Sequence, residues 1–535
     1  MARRRLLMRA WRNAPLRRLG IANAGFRMAE LGVWIALTAY AYTAGGVREA
    51  SAVMVAQLVP ATGFALAVGA LIRHHGPGPV LRWGLAVQAA AMVIAAGFLH
   101  DGYNAAAFAA AVVTATAVTT TRPAQSVLTP SLVDGPDDLT AANVLTGVLT
   151  SGAGLAGPAI AAVIMTAIGA WAVFAILGVV VLASAVAVWH LPTIGAATEE
   201  DPESLLTGIR ATARERGPRV MVAAVAAHYF VIGACDVLAV VIAVELLGRA
   251  EAYAGYLTTA IGLGCVIAGG ISLALIGRRW IAPWIIVSGG GAAGALVAVS
   301  LLGSRLVASL FVLVALGIAQ ATYELTALML LQRVTRLDLV GHIFALVEAL
   351  QMAMLAVGAA VVPLAVTLFG SHRAPGAIGV LLAVMIGVLS IWIVRIDREA
   401  RVPITEMAAL RATPLFAALP GAGLETIARE ARRVEITAGD VVVQQGDLGT
   451  AYYAVVSGHL SVSIDGVARA ELGRGDGFGE LALIRDVPRT ATVRASADSV
   501  LLAVDREPFL TAVTGHATTH DRASSIAAAH LDPAP

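Results

Sequence analysis

The chain has 535 residues, of which 58% are hydrophobic and 13% charged, and its mean hydropathy is +0.80. Soluble proteins carry roughly 45–50% apolar and 25% charged residues, so an ordinary soluble globule is excluded. The net charge of +2 gives no electrostatic case for a nucleic-acid partner, and the absence of any lysine excludes a nucleotide-hydrolysis loop ending in GK[ST].

The N-terminal stretch 1–18, MARRRLLMRAWRNAPLRR, is basic and leads straight into a long apolar run, the pattern of a cytoplasmic lead and not of a cleavable signal. A membrane span needs about 20 mostly apolar residues. Such runs occur at 19–44, 50–72, 79–99, 103–121, 140–166, 170–191, 219–246, 252–276, 281–302, 305–331, 341–369 and 375–395. The expectation is an all-α bundle of twelve spans occupying 19–396. Its longest break, the polar loop 192–218, separates halves 19–191 and 219–396. If the N-terminus is cytoplasmic, that side also holds Arg73, Arg82, Arg122, Arg210, Arg214, Arg278, Arg279, Arg333 and Arg395, while the other keeps Arg48, Arg249, Arg305 and Arg373. The positive-inside rule then predicts a multi-pass protein of the cell (inner) membrane with both termini cytoplasmic. Cys235 and Cys265 fall inside spans and read as small packing residues, with no disulfide or zinc spacing.

Charged groups inside a bilayer are costly, so each is a functional candidate. Arg27 and Glu30 lie three apart in the first span, Arg122 near the end of the fourth, Asp236 deep in the seventh, and Glu324 and Glu348 in the tenth and eleventh. A desolvated carboxylate suits proton exchange near neutral pH, which nominates Glu30 and Asp236 for coupling. The alternative is a structural ion pair, Arg27–Glu30. Trp34, Tyr40, Trp171 and Tyr229 fit substrate contacts or interfacial anchors equally well.

After a short charged linker, 397–412, the composition changes. Residues 413–535 begin with PLFAALPGAGLETIARE and continue as short alternating stretches such as Leu460–Ile464, punctuated by Gly439-Asp440, Gly446-Asp447, Ser457-Gly458 and Gly475-Asp476. Alternation closed by tight turns is the signature of half-buried strands, and the expectation is a β-roll with flanking helices.

Within it, 478–493 reads FGELALIRDVPRTATV, which resembles the phosphate-binding cassette of a cyclic-nucleotide-binding domain. The resemblance extends from Thr413 to about Val513. It implies cAMP or cGMP as the ligand, with Arg489 on the cyclic phosphate, Glu480 on the ribose 2′-OH, and backbone N–H groups of Leu481 and Ala482 completing the cradle. The physics agrees: Gly479 lets backbone approach closely, a helix start favours an anion, and arginine offers a bidentate fork. In this family a threonine after the arginine, here Thr490, can bond a guanine amino group. The capping residue for the base stays open within the segment holding Gly515, His516, His520, Ile526 and Leu531.

The membrane part carries its own resemblance. A shift of 201 residues places Gly69 on Gly270, Gly76 on Gly277 and Arg48 on Arg249, two similar six-span halves. With the Gly-x6-Gly loop after span two, this resembles the major facilitator superfamily, although the usual loop aspartate is Arg73 in one copy and Ala274 in the other. Arg122-Pro123-Ala124-Gln125, Thr129–Val133, Ala141-Ala142-Asn143, Leu331-Gln332-Arg333 and Gly341–Phe344 resemble its enterobactin-exporter-like branch. Gly154–Pro158 looks like a degenerate antiporter motif or, equally, a small-residue helix contact. The resemblances together imply a cyclic-nucleotide-regulated, proton-coupled exporter of a small amphipathic molecule, monomeric, with no enzymatic activity, metal or cofactor. The alternatives are a lipid or lysophospholipid flippase with the same sensor, or a membrane-anchored cyclic-nucleotide receptor that transports nothing.

Overall fold

The computed structural model describes residues 13–132, 136–189, 191, 203–275, 280–335, 337–399, 404–417, 419 and 421–514. The chain forms two compact units that meet in sequence at Ala400/Arg401. Each is described by itself.

The first unit is helical. Its opening segment, Ala14–His75, begins at Asn13, whose side chain accepts from Leu16 N, and holds Pro15 in its first turn. It does not run straight through. Gly45 and Gly46 leave the helical region, and Gly46 takes φ 70°, a conformation glycine alone adopts freely. Among the described residues, ten further helices are long and apolar enough to cross a membrane, from Pro77–His100 to Ala374–Arg398. This is a multi-pass membrane protein.

Several boundaries differ from those read in the sequence. The fourth run does not end at residue 121: a helix Thr121–Ser131 continues it, because Pro123 falls within the first turn, where its missing N–H costs nothing. The polar break 192–218 is not all loop. It contains the amphipathic helix Glu203–Arg214, which packs on Leu337–Phe369, and the next span already starts at Arg216. The linker 397–412 is helical on both flanks, since one helix runs to Glu399 and another spans Ile404–Ala412. Residues 1–12, Arg278, Arg279 and the segment after 514 lie outside the described residues, and with them the N-terminal arginines and the capping candidates.

Packing repeats between the halves. Pro77–His100 lies on Ala170–Val188, and Ala282–Leu302 lies likewise on Ala374–Glu399. A Cβ on Gly157 would collide with Met28 O, and one on Gly358 would collide with Phe230 O. Gly358 is Gly157 shifted by 201 residues. Gly32 and its counterpart Gly233 sit at the same crossings, against Gly157 O and Leu355 O. Small residues let membrane helices approach until backbones touch; the Gly154–Pro158 stretch serves this contact.

The second unit holds eight strands in two antiparallel sheets. β1 (Arg432–Ile436), β8 (Ser499–Asp505), β3 (Ala451–Ser457) and β6 (Gly477–Phe478) form one. β2 (Val441–Val443), β7 (Thr492–Ala495), β4 (Leu460–Ile464) and β5 (Val467–Leu472) form the other. Helices Gly421–Glu430 and Arg506–Thr514 pack beside the first sheet. Their joint core is aromatic: Tyr452 stacks on Phe509 at 5.1 Å and meets Phe416 edge-on at 5.4 Å. Burial pushes the Tyr452 phenol well above its ordinary pKa, so it stays neutral and packs as an apolar ring with one polar tip.

Candidate functional site

In the β-roll, the strand β6 ends at Gly479, which takes φ 94° and starts the short helix Glu480–Ile484. The left-handed turn aims the first helical N–H groups, those of Glu480, Leu481 and Ala482, outward with no partner in their own helix. The chain then returns through Val487-Pro488 to Arg489. The Arg489 backbone is pinned to a turn across the roll: its N–H donates to Asp447 O at 2.8 Å, and its carbonyl accepts from Gly446 N at 2.9 Å. Its guanidinium turns inward and is only 6% exposed. Nη1 donates to Gly479 O at 3.0 Å and Nη2 to Ala451 O at 2.7 Å.

Three small residues make this possible. A Cβ on Gly479 would run into the guanidinium, and one on Gly449 would collide with Ala482 and crowd the guanidinium. Tyr453, stacked on Phe478 at 5.2 Å, lies 5.9 Å beneath the Arg489 cation. Burial pulls the Arg489 pKa below its ordinary value, against the opposing pull of Tyr453, Glu480 and Asp447. A guanidinium held by neutral carbonyls and stripped of water is a site that an anion would stabilise. Glu480 is buried beside it, 3% exposed, and Thr490 is exposed. The structure therefore brings Gly479, Glu480, Leu481, Ala482 and Arg489 together. Sequence reading missed Gly449 and Ala451, which act only through the fold.

In the membrane unit the charged candidates fall into three groups. Glu30 accepts from Arg27 Nη1 at 2.5 Å and lies 3.4 Å from Arg122 Nη2. One turn further along the same helix, Trp34 Nε1 donates to Asp236 Oδ2 at 3.0 Å, joining the two halves. Glu324 accepts from Tyr229 Oη at 2.9 Å and has His228 Nε2 at 3.8 Å. His228 in turn stacks on Tyr323, with ring centroids 5.3 Å apart. Glu348 is exposed and sits within electrostatic reach of Arg122 and Tyr229. Trp34 and Tyr229 are thus carboxylate partners, not interfacial anchors. His228 was not singled out from sequence, although the 201-residue shift places it on Arg27. The candidate pair Glu30 and Asp236 does not share one environment: the first carboxylate faces two cations, the second a neutral indole.

Close to Arg122 lies a cavity of about 380 Å³ between the ends of Ala14–His75, Thr121–Ser131 and Pro136–Ala167.

Two family descriptions match this chain. Residues 433–516 match the cyclic nucleotide-binding domain, and residues 19–359 match the Major Facilitator Superfamily. Among curated proteins, the cAMP-dependent protein kinase regulatory subunit of Blastocladiella emersonii is 39% identical over 93 residues, 16% of this chain and 23% of that protein. The Rap guanine nucleotide exchange factor 1 of Caenorhabditis elegans is 43% identical over 75 residues, 14% of this chain and 7% of that protein. The chain thus spans less than a quarter of the length of these curated relatives. Among solved structures, the regulatory domain of Toxoplasma gondii PKA with cAMP is 33% identical, with 24% of this chain and 50% of that chain covered and a TM-score of 0.21. The match to the cyclic nucleotide-binding domain falls in the second unit. The Major Facilitator Superfamily match falls in the first unit and covers more than half of the whole chain, and the protein belongs to that superfamily.

Proposed function

We propose that this protein is a secondary active transporter regulated by a cytosolic cyclic nucleotide, and that it exports a small amphipathic molecule in exchange for protons. The observation that carries the reading is Arg489: a buried guanidinium, held by two carbonyls beside the left-handed Gly479, in a chain whose remaining length is a membrane transporter. The cyclic phosphate takes the free edge of that fork, and Glu480 takes the ribose 2′-OH. We favour cAMP, since one relative is named for its dependence on it. The break at Gly45–Gly46 supports reading the first helical segment as two spans, and a bundle of twelve spans would have both termini on the arginine-rich, cytoplasmic side. Asp236, facing a neutral indole, is the better proton carrier of the two carboxylates nominated. Ligand acts by favouring one transporter conformation over another, which requires different affinity for the two.

The test is calorimetry on the purified full chain with cAMP and with cGMP. Arg489→Ala removes a charge-assisted contact and is expected to weaken binding by about 1.5–3 kcal/mol, or roughly 10- to 150-fold. Equal binding by wild type and variant would sink the assignment of the site. No binding of either nucleotide would leave the β-roll as a partner-docking appendage.

A further inference from the structure

The cavity beside Arg122 has features that proton coupling does not use. Its lining carries two guanidinium groups, Arg27 and Arg122, and no carboxylate among the described residues. Glu30 stands behind them and engages Arg27 closely. Its contacts to Arg122, 3.4 and 3.5 Å, are at the limit of a hydrogen bond. The Arg122 side chain is 42% exposed, so much of its donor fork faces the open space. Gln125 also lines the cavity and is 7% exposed, but its amide Nε2 is buried away from the open space. Ser126, Thr129 and Thr150 give their protons to backbone carbonyls of Pro123, Gln125 and Thr146 and are not free donors toward the cavity. The two guanidinium groups are therefore the charged donors of the lining. Leu19 and Phe26 supply apolar wall. At about 380 Å³ the space lies within the ~300–1,000 Å³ range of small-molecule pockets.

We propose that this cavity is an anion-binding subsite that takes the negatively charged head, a phosphate or carboxylate, of an amphipathic molecule. The inference rests on the export reading and narrows it from amphipaths in general to anionic ones. Arg122 binds the head through its free edge, Arg27 adds positive charge beside it, and Leu19 and Phe26 receive the start of the tail. Glu30 keeps both arginines oriented. Glu348, which acts on Arg122 from another helix, does not line the cavity and leaves the sign of the lining unchanged.

The experiment uses the purified full chain in a neutral maltoside detergent, with binding read as a saturable rise in thermal midpoint. Dodecyl phosphate is the probe. Dodecylphosphocholine keeps the tail and neutralises the head; inorganic phosphate keeps the head and drops the tail. Saturable stabilisation by dodecyl phosphate is expected, with weak or no effect of the other two. Arg122→Gln should weaken it at least about tenfold, the loss of one charge-assisted contact. Arg122→Lys, which keeps the charge and is expected to fold even where Arg122→Gln does not, loses only the planar fork and should weaken it roughly threefold. Equal stabilisation by dodecylphosphocholine would overturn the proposal, as would dodecyl phosphate binding that neither substitution changes. Inorganic phosphate binding as well as dodecyl phosphate would overturn the amphipath and leave a plain anion site. The readout needs neither nucleotide nor gradient. A failed nucleotide titration leaves this proposal standing, and a failed dodecyl phosphate titration leaves the sensor standing.

Discussion

The two halves of the membrane unit share a backbone and differ in chemistry. Gly157 touching Met28 and Gly358 touching Phe230 are the same crossing made twice. Around the first, Glu30 is gripped by Arg27 and Arg122; around the second, the shifted positions of those arginines hold His228 and Tyr323, and Glu324 is held by a phenol. The repeat has kept what backbones need in order to approach and has exchanged the groups that carry charge. One half holds its carboxylate with two arginines, and the other with a phenol and an imidazole.

The largest effect should come from the shared feature. Gly358→Leu would drive a side chain into the Phe230 carbonyl, and Gly157→Leu into that of Met28. Neither backbone can retreat, so each should cost about 3 kcal/mol or more and largely abolish the folded peak in fluorescence-detected size exclusion. Gly63→Leu, where a Cβ meets open space, is the control and should be tolerated. If only one of the two crossings proved sensitive, the equivalence of the halves would be wrong.

The next effects separate the halves. Glu30→Gln leaves two arginines facing each other without their shared carboxylate. Removing one partner of a fully buried pair costs ~3–5 kcal/mol; with Arg122 partly open, about 2 is expected, read as a lower thermal midpoint. Adding Arg27→Gln should restore part of it. Glu324→Gln keeps an acceptor for Tyr229 and gives up only the distant His228, so its cost should stay near the ~0.6 kcal/mol typical of interhelical polar contacts in membranes. A Glu324→Gln cost equal to that of Glu30→Gln would mean that the second half holds its carboxylate as tightly as the first.

These differences also explain what could be read from the chain. The nucleotide cassette was legible because its parts lie within a dozen residues, Gly479 to Thr490, and each has a local reason to be there. Gly449 and Ala451 were invisible, since their roles depend on β3 folding back against the Arg489 turn. The apolar runs betrayed most helices through composition alone, although the first two runs form one segment interrupted at Gly45–Gly46, a proline-tolerant turn extends the fourth beyond its apolar stretch, and the seventh starts early, at Arg216. Partners inside the bundle were not legible: Trp34 and Asp236 are 202 residues apart, and nothing local ties an indole in one half to a carboxylate in the other. The repeat shift held the one usable clue, because it places His228 on Arg27, but a shift that conserves glycines and replaces charges reveals position without chemistry.

The smallest effect on stability is expected where the functional effect is largest. Asp236→Asn keeps a carbonyl oxygen for the Trp34 indole and changes no ion pair among the described residues, so the thermal midpoint should move by no more than about 0.5 kcal/mol equivalent. The variant cannot take up a proton. In proteoliposomes with an imposed pH gradient, proton flux dependent on dodecyl phosphate should disappear in Asp236→Asn and persist in Asp236→Glu, which retains the titrating group. Glu30→Gln, by contrast, should lower flux only as far as it lowers the amount of folded protein, because its carboxylate is engaged by two guanidinium groups as a structural link between helices. Loss of flux in Glu30→Gln at full folded yield, with Asp236→Asn still active, would reverse the assignment and make the first half the one that carries protons.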